Sequence, residues 1–253
     1  MSDALPRSPD PPVSRSSDSA LLGSLGHLVR GLSAVFWGLP VALVVCVQTA
    51  KSDWLQPAVV IKNPYVATLF GAFPPIVALA LIHFGLTQIG FFQKQERIWQ
   101  NALDRAKIFS LINLGLSPFL YWWNRMSANP FFTAMIELMV VASLAYLFFL
   151  NLLLRRLAAM LPDEILRIET RLFTKMNNYL LVTTGLIFVG FFILRRFDNF
   201  PRFIYYVLTL LDQGALWIIM FMILLPIAIT MFLTWKIKEL ILASIFNADR
   251  PLP

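Results

Sequence analysis

Apolar runs close in length to the hydrocarbon core of a bilayer recur along this chain, and they limit its fold more than any motif does. Crossing that core takes about 20 apolar residues as an α-helix. Lipid offers the backbone no hydrogen-bond partner, so each run reads as a helix. Runs at residues 31–49, 65–92, 131–154, 178–194 and 214–235 are long enough to read this way. Another, residues 108–123 (IFSLINLGLSPFLYWW), is short for a span, and the arrangement turns on it. If it crosses, six helices leave both termini on one side; if it does not, every later loop changes sides.

Charge distribution separates the two arrangements. With six helices, the side that holds both termini and the second and fourth connectors carries 15 Lys and Arg against 6 opposite; with five the split is 11 to 10. The bias of basic residues toward the cytoplasm therefore predicts six spans with both termini cytoplasmic. Starting the short helix at Ala106 and letting Lys107 snorkel to the interface supplies the missing half turn. Tyr121, Trp122 and Trp123 would then anchor its outer end, level with Trp54, Tyr65, Tyr205, Tyr206 and Trp217.

Composition agrees, with 58% hydrophobic and only 14% charged residues and a mean hydropathy of +0.70. The expected fold class is all-α: a multi-pass integral membrane helix bundle of about six transmembrane helices with amphipathic cytoplasmic connectors, in a membrane of the bacterial inner (cytoplasmic) type. The excess of 21 Lys and Arg over 14 acids follows the loops between apolar runs, which is membrane topology and not a nucleic-acid footprint. Residues 1–20, with four prolines and six serines, predict a disordered tail. The membrane domain is expected over 21–245 and a short C-terminal tail over 246–253. The single cysteine, Cys46, excludes an intramolecular disulfide.

Two connectors carry helical periodicity. In residues 93–107, Ile98, Trp99, Ala102, Leu103 and Ala106 share a face; in 162–176, Ile165, Ile168, Leu172 and Met176 do. Pro162, followed by Asp163 and Glu164, reads as the start of the second. Arg167, Arg171 and Lys175 stand one turn apart on its other side. That stripe suits anionic lipid headgroups on the cytoplasmic side, or a protein partner in the membrane, with a solvated basic face as the plainer account.

Small residues Gly31, Ala34, Gly38 and Ala42 form a stripe on the first helix, and Ala67, Gly71, Ala78 and Gly85 form another on the second. Such stripes let helix backbones approach closely, within the first hairpin or between copies. Glu137 is the one acid well inside an apolar run, with Thr133 a turn outward, which makes the pair a candidate intramembrane polar site. The plainer account pairs Glu137 with Arg125, Arg195 or Arg196. Asn113, Asn151, Thr183 and Thr184 read as ordinary interhelical hydrogen-bonding residues. His27 and His83 are too isolated to define a haem site, and no cofactor, metal or catalytic constellation is expected: the chain has no nucleophile elbow and no phosphate-cradling loop.

Three functional readings follow. A non-enzymatic accessory subunit or organiser of a membrane complex ranks first, and a small-solute or ion permease using Glu137 second. A lipid-modifying enzyme built on Asp163, Glu164 and Glu169 ranks third. Topology is directly testable: with Cys46 replaced, cysteines introduced at Ser127 and Asn199 should both react with an impermeant thiol reagent from outside the cell. Labelling of position 127 only from the cytoplasmic side would leave five spans.

Overall fold

The computed structural model describes residues 14–51, 64–92, 96–126, 128–161, 163–194 and 221–243. Their regular structure is entirely helical: α1 (Ser14–Lys51), α2 (Pro64–Ile89), α3 (Arg97–Leu116), α4 (Pro118–Arg125), α5 (Pro130–Met160), α6 (Glu164–Leu194) and α7 (Phe221–Ala243). Among the described residues, four helices are long and apolar enough to cross a membrane: α1 over Gly23–Lys51, α2 over Gly71–Ile89, α5 and α7. The protein is an all-helical bundle of membrane type. Trp54, Tyr205, Tyr206, Trp217, Ser127, Asn199, Arg195 and Arg196 lie outside the described residues, as do 1–13 and 244–253.

Helix α1 begins at Ser14, inside the stretch expected to be a disordered tail, and runs well past the expected start at Gly31. Spacing accounts for its last turns before Gly31: Leu28, Leu32, Val35 and Leu39 are buried at three- and four-residue intervals, so the packed face starts before the apolar run does.

Helices α1 and α2 form the closest pair. A Cβ on Gly31 would stand 2.6 Å from the Gly85 carbonyl oxygen and 2.9 Å from the Ile89 nitrogen, and one on Gly85 would stand 2.9 Å from the Gly31 oxygen. Backbone meets backbone at this crossing, which only glycine on both sides allows. Gly38 is next along, facing Ile82. Packing of this kind replaces the hydrophobic effect, which does not drive helices together in lipid.

The short apolar run is resolved in an unexpected way. It is not preceded by a separate connector helix: α3 is continuous from Arg97, and Ser117 keeps helical angles (φ −58°, ψ −34°) before Pro118 opens α4. A stripe of Trp99, Leu103, Ala106, Ser110, Asn113, Ser117 and Leu120 stays buried through the junction. Trp99 packs on Phe92 beside the C-terminal end of α2, and Tyr121 lies over Gly71 near its N-terminal end. Together α3 and α4 therefore run the length of α2's apolar segment. Lys107 brings its ammonium over Gly90, at the negative end of the α2 dipole.

One expectation changes here: Ile98 does not share the face of Trp99 but is exposed. Tyr121 is buried within the bundle, with the Arg125 guanidinium 5.0 Å from its ring centroid.

Helix α6 repeats the pattern. The connector expected at 162–176 is the first half of a single helix that continues to Leu194, with Asp163 accepting from the Ile165 amide at 2.9 Å. Ile165, Ile168, Leu172 and Met176 point away from the bundle, and the exposed apolar face carries on through Tyr179, Leu186 and Ile193. Facing inward instead are Thr170, Thr174, Asn177, Leu181 and Thr184. A drop in hydropathy marks no helix end, because neither glycine nor proline interrupts the chain between Asp163 and Val182.

Replacing Gly31 by Ala should lower thermal stability in detergent by about 1–3 kcal/mol, the usual range for overpacking. Gly26→Ala, where a Cβ meets nothing within 4 Å, should be neutral or stabilising by up to about 1 kcal/mol.

Candidate functional site

Three polar features lie within the bundle, and each is set by the helix faces just described. The first is a seam between α5, α6 and α7. Asn151, Asn177 and Thr230 are all 0% exposed. Asn151 Nδ2 donates to the Leu147 carbonyl (2.8 Å) and to Thr230 Oγ1 (2.9 Å); Asn177 Nδ2 donates to the Pro226 carbonyl (3.2 Å) and to the same Oγ1 (3.1 Å). Thr230 in turn donates to the Pro226 carbonyl at 2.7 Å. Its one proton and two lone pairs are all in use.

The two amide orientations are fixed, since each NH2 group faces a backbone carbonyl that can only accept. Consequently Asn151 Oδ1 and Asn177 Oδ1 are buried without a partner, as are Thr170 Oγ1, Thr174 Oγ1 and Thr184 Oγ1. Thr183, expected to act with Thr184, is exposed instead.

One turn outward from the seam, a cavity of about 140 Å³ opens between five helices. Small side chains leave this space: Ala42 and Cys46 on α1, Ser110 on α3 and Ser143 on α5. Its polar members are Ser110, Asn113, Ser143 and Tyr146, with Ser143 Oγ donating to Asn113 Oδ1 at 3.1 Å. Ala42, the last member of the α1 stripe, lines the cavity, whereas Gly31 and Gly38 face α2, with Ala34 beside Gly85.

The third feature is the basic end of the α5–α6 hairpin. Two clefts adjoin there and share Arg155 and Arg171. Nearer the hairpin turn, a cleft of about 290 Å³ is lined by Arg155, Arg156, Ala159, Arg167 and Arg171. The other, about 450 Å³, adds Lys175, Asn178 and Tyr179 and ends on Phe148 and Val182. Arg167, Arg171 and Lys175 are thus brought together, and α5 contributes the two arginines that reasoning from one connector alone had missed. The signal for them was in the sequence, since Arg155-Arg156 ends the apolar run that the connector follows.

No carboxylate lines either cleft. Asp163 caps α6, Glu164 is exposed, and Glu169 pairs with Lys236 of α7. Of the acid trio proposed for an enzyme, Asp163 and Glu169 line one cleft together with Lys236 and Glu239, while Glu164 does not join them. Among the described residues, no group of three or more His, Cys, Asp or Glu could hold a metal ion. His27 is engaged with Gln88 (2.8 Å) and packs on Phe91.

Glu137 is half-buried and lines neither the cavity nor the basic clefts. It lies two turns from Leu144, the residue that faces Gly185 of α6, and so on the α6 side of α5. Thr133 does not turn toward it, donating instead to the Asn129 carbonyl at 3.4 Å. No protein-family model, curated protein or solved structure matches the chain.

The seam makes a quantitative test available. Thr230→Val removes the acceptor of both asparagine amides and should destabilise the protein by about 1–2 kcal/mol, the upper range for polar contacts between membrane helices. Combined with Asn177→Leu, the loss should be less than additive, because both changes break the same contact. Thr183→Val on the exposed face should change stability by less than about 0.5 kcal/mol.

Proposed function

We propose that this chain is a non-enzymatic, six-span membrane protein, an accessory subunit or organiser of a membrane complex, that holds anionic lipid at its cytoplasmic face. One observation carries this reading: α6 presents an apolar outer face while Arg167, Arg171 and Lys175, on its flank, line open clefts shared with α5. An apolar outer face suits lipid tails or a partner helix, and a basic cleft along its edge suits headgroup phosphates.

Six spans draw support from the course of α3 and α4 along the whole apolar segment of α2, which is itself long enough to cross. In this orientation the basic hairpin is cytoplasmic, as are both termini, and the membrane is of the bacterial inner type. The non-enzymatic reading is favoured by the two basic clefts, which cations line without a carboxylate beside them.

A small-solute permease is the second reading. Its support shifts from Glu137 to the cavity and to the unpartnered Asn151 and Asn177 oxygens one turn inward of it.

Reconstitution into nanodiscs of phosphatidylcholine with a fifth phosphatidylglycerol tests the first reading. The protein should retain phosphatidylglycerol on native mass spectrometry, and Arg155→Gln with Arg171→Gln should release it without loss of thermal stability. Carbodiimide labelling of Glu137 in sealed membranes tests the second. Free labelling that a particular solute blocks would return Glu137 to a transport path, whereas inertness leaves it packed against α6.

A further inference from the structure

We infer that the α5–α6 clefts form one site for a lipid whose headgroup carries two phosphates in series, the first beside the tail and the second deeper toward the hairpin turn. This rests on the anionic-lipid reading and narrows it. The bias of basic residues toward the cytoplasm accounts for the sign of this surface but not for its shape. Topology asks only for cations in the loop, and is satisfied equally if they diverge into water.

Here cations from two helices converge on adjoining clefts with no carboxylate between them. Like charges gathered on shared clefts repel one another, and an anion among them relieves that repulsion. Arg156 Nε and Arg167 Nε are buried donors without an acceptor, although Arg167 Nη2 donates to the Leu161 carbonyl at 3.4 Å, and such unmet donors on a guanidinium point to an acceptor-rich ligand.

The number and order of phosphates follow from the lining. Arg155 and Arg171 belong to both clefts and stand between them. Toward the bundle, Lys175 and Asn178 complete a first phosphate position, and Phe148 and Val182 continue from it as an apolar track. Toward the turn, Arg156 and Arg167 complete a second position that has no apolar end, only Ala159. One phosphate would leave a pair of cations unanswered in whichever cleft it did not fill. Two phosphates side by side, each with its own tails, would need two apolar tracks. A diphosphate on a single lipid root matches one track followed by two cationic positions, and the apolar track assigns the ligand to a lipid over a soluble diphosphate.

The test uses the full chain in phosphatidylcholine nanodiscs, read by native mass spectrometry. The probes are geranylgeranyl diphosphate, geranylgeranyl monophosphate, phosphatidylglycerol and inorganic diphosphate. One diphosphate lipid should be retained per chain, about thirtyfold more tightly than the monophosphate, as two extra cation contacts near a membrane surface would give. Arg156→Gln with Arg167→Gln should erase that preference while keeping the monophosphate. Arg155→Gln with Arg171→Gln, at two exposed positions, should lose both and serves if the half-buried pair impairs folding.

Equal retention of diphosphate and monophosphate, or a preference that survives both double variants, overturns the two-phosphate site. If phosphatidylglycerol is still retained then, the broader lipid reading stands; if no anionic probe is held above phosphatidylcholine, that reading falls too. Full displacement of the lipid by an equal concentration of inorganic diphosphate would show that the apolar track contributes nothing, and would overturn the lipid assignment.

Discussion

Polar groups inside a bilayer must find partners within the protein, and the packing of α5, α6 and α7 depends on that constraint. Thr230 is the hinge of it. A single hydroxyl accepts from Asn151 of α5 and from Asn177 of α6 while donating to its own helix, so three helices meet at one oxygen. Removing that oxygen would leave two amide N–H groups in a site that is 0% exposed, where each unmet donor costs more than an ordinary hydrogen bond contributes. The same constraint turns α6 inside out relative to a helix in water. Thr170, Thr174, Asn177 and Thr184 face the bundle, while Ile165, Ile168, Leu172 and Leu186 face outward.

Backbone contact plays the corresponding part on the other side of the molecule. At the Gly31–Gly85 crossing no side chain separates α1 from α2, and dispersion forces over a long, close interface hold the pair. Between this tight hairpin and the hydrogen-bonded trio runs the α3–α4 rod, whose buried stripe changes from Trp99 and Leu103 to Ser110 and Asn113 along its length. Where its residues become small and polar, and those of α1 shrink to Ala42 and Cys46, the packing leaves the cavity. The cavity and the seam beneath it are thus by-products of side-chain size and polarity on five faces that no single helix reveals.

Charge organises the turn of the α5–α6 hairpin in a similar way. Each carboxylate near the hairpin has a task or an exposed position of its own: Asp163 caps a helix, Glu169 joins α6 to α7 through Lys236, and Glu164 points outward. The arginines of α5 and α6 are left facing one another. That arrangement is why the cations of two helices, and not of one connector alone, share a pair of clefts.

The sequence by itself determined the helical class, the membrane character, the small-residue stripe and the cationic positions of α6, because run length, side-chain size and charge are properties of local chain. Helix ends were legible only where a residue stops a helix. Pro130 following Asn129 marks the start of α5, whereas the change in polarity near Met176 suggested a boundary that the backbone does not make. Tertiary structure decided which faces meet. It set Tyr121 over Gly71, joined Asn151 to Asn177 through Thr230, and added Arg155 and Arg156 to the stripe. Each of these depends on the rotation of one helix about its axis relative to another, and that angle is fixed by the summed packing of all neighbours, a quantity no single stretch of sequence contains.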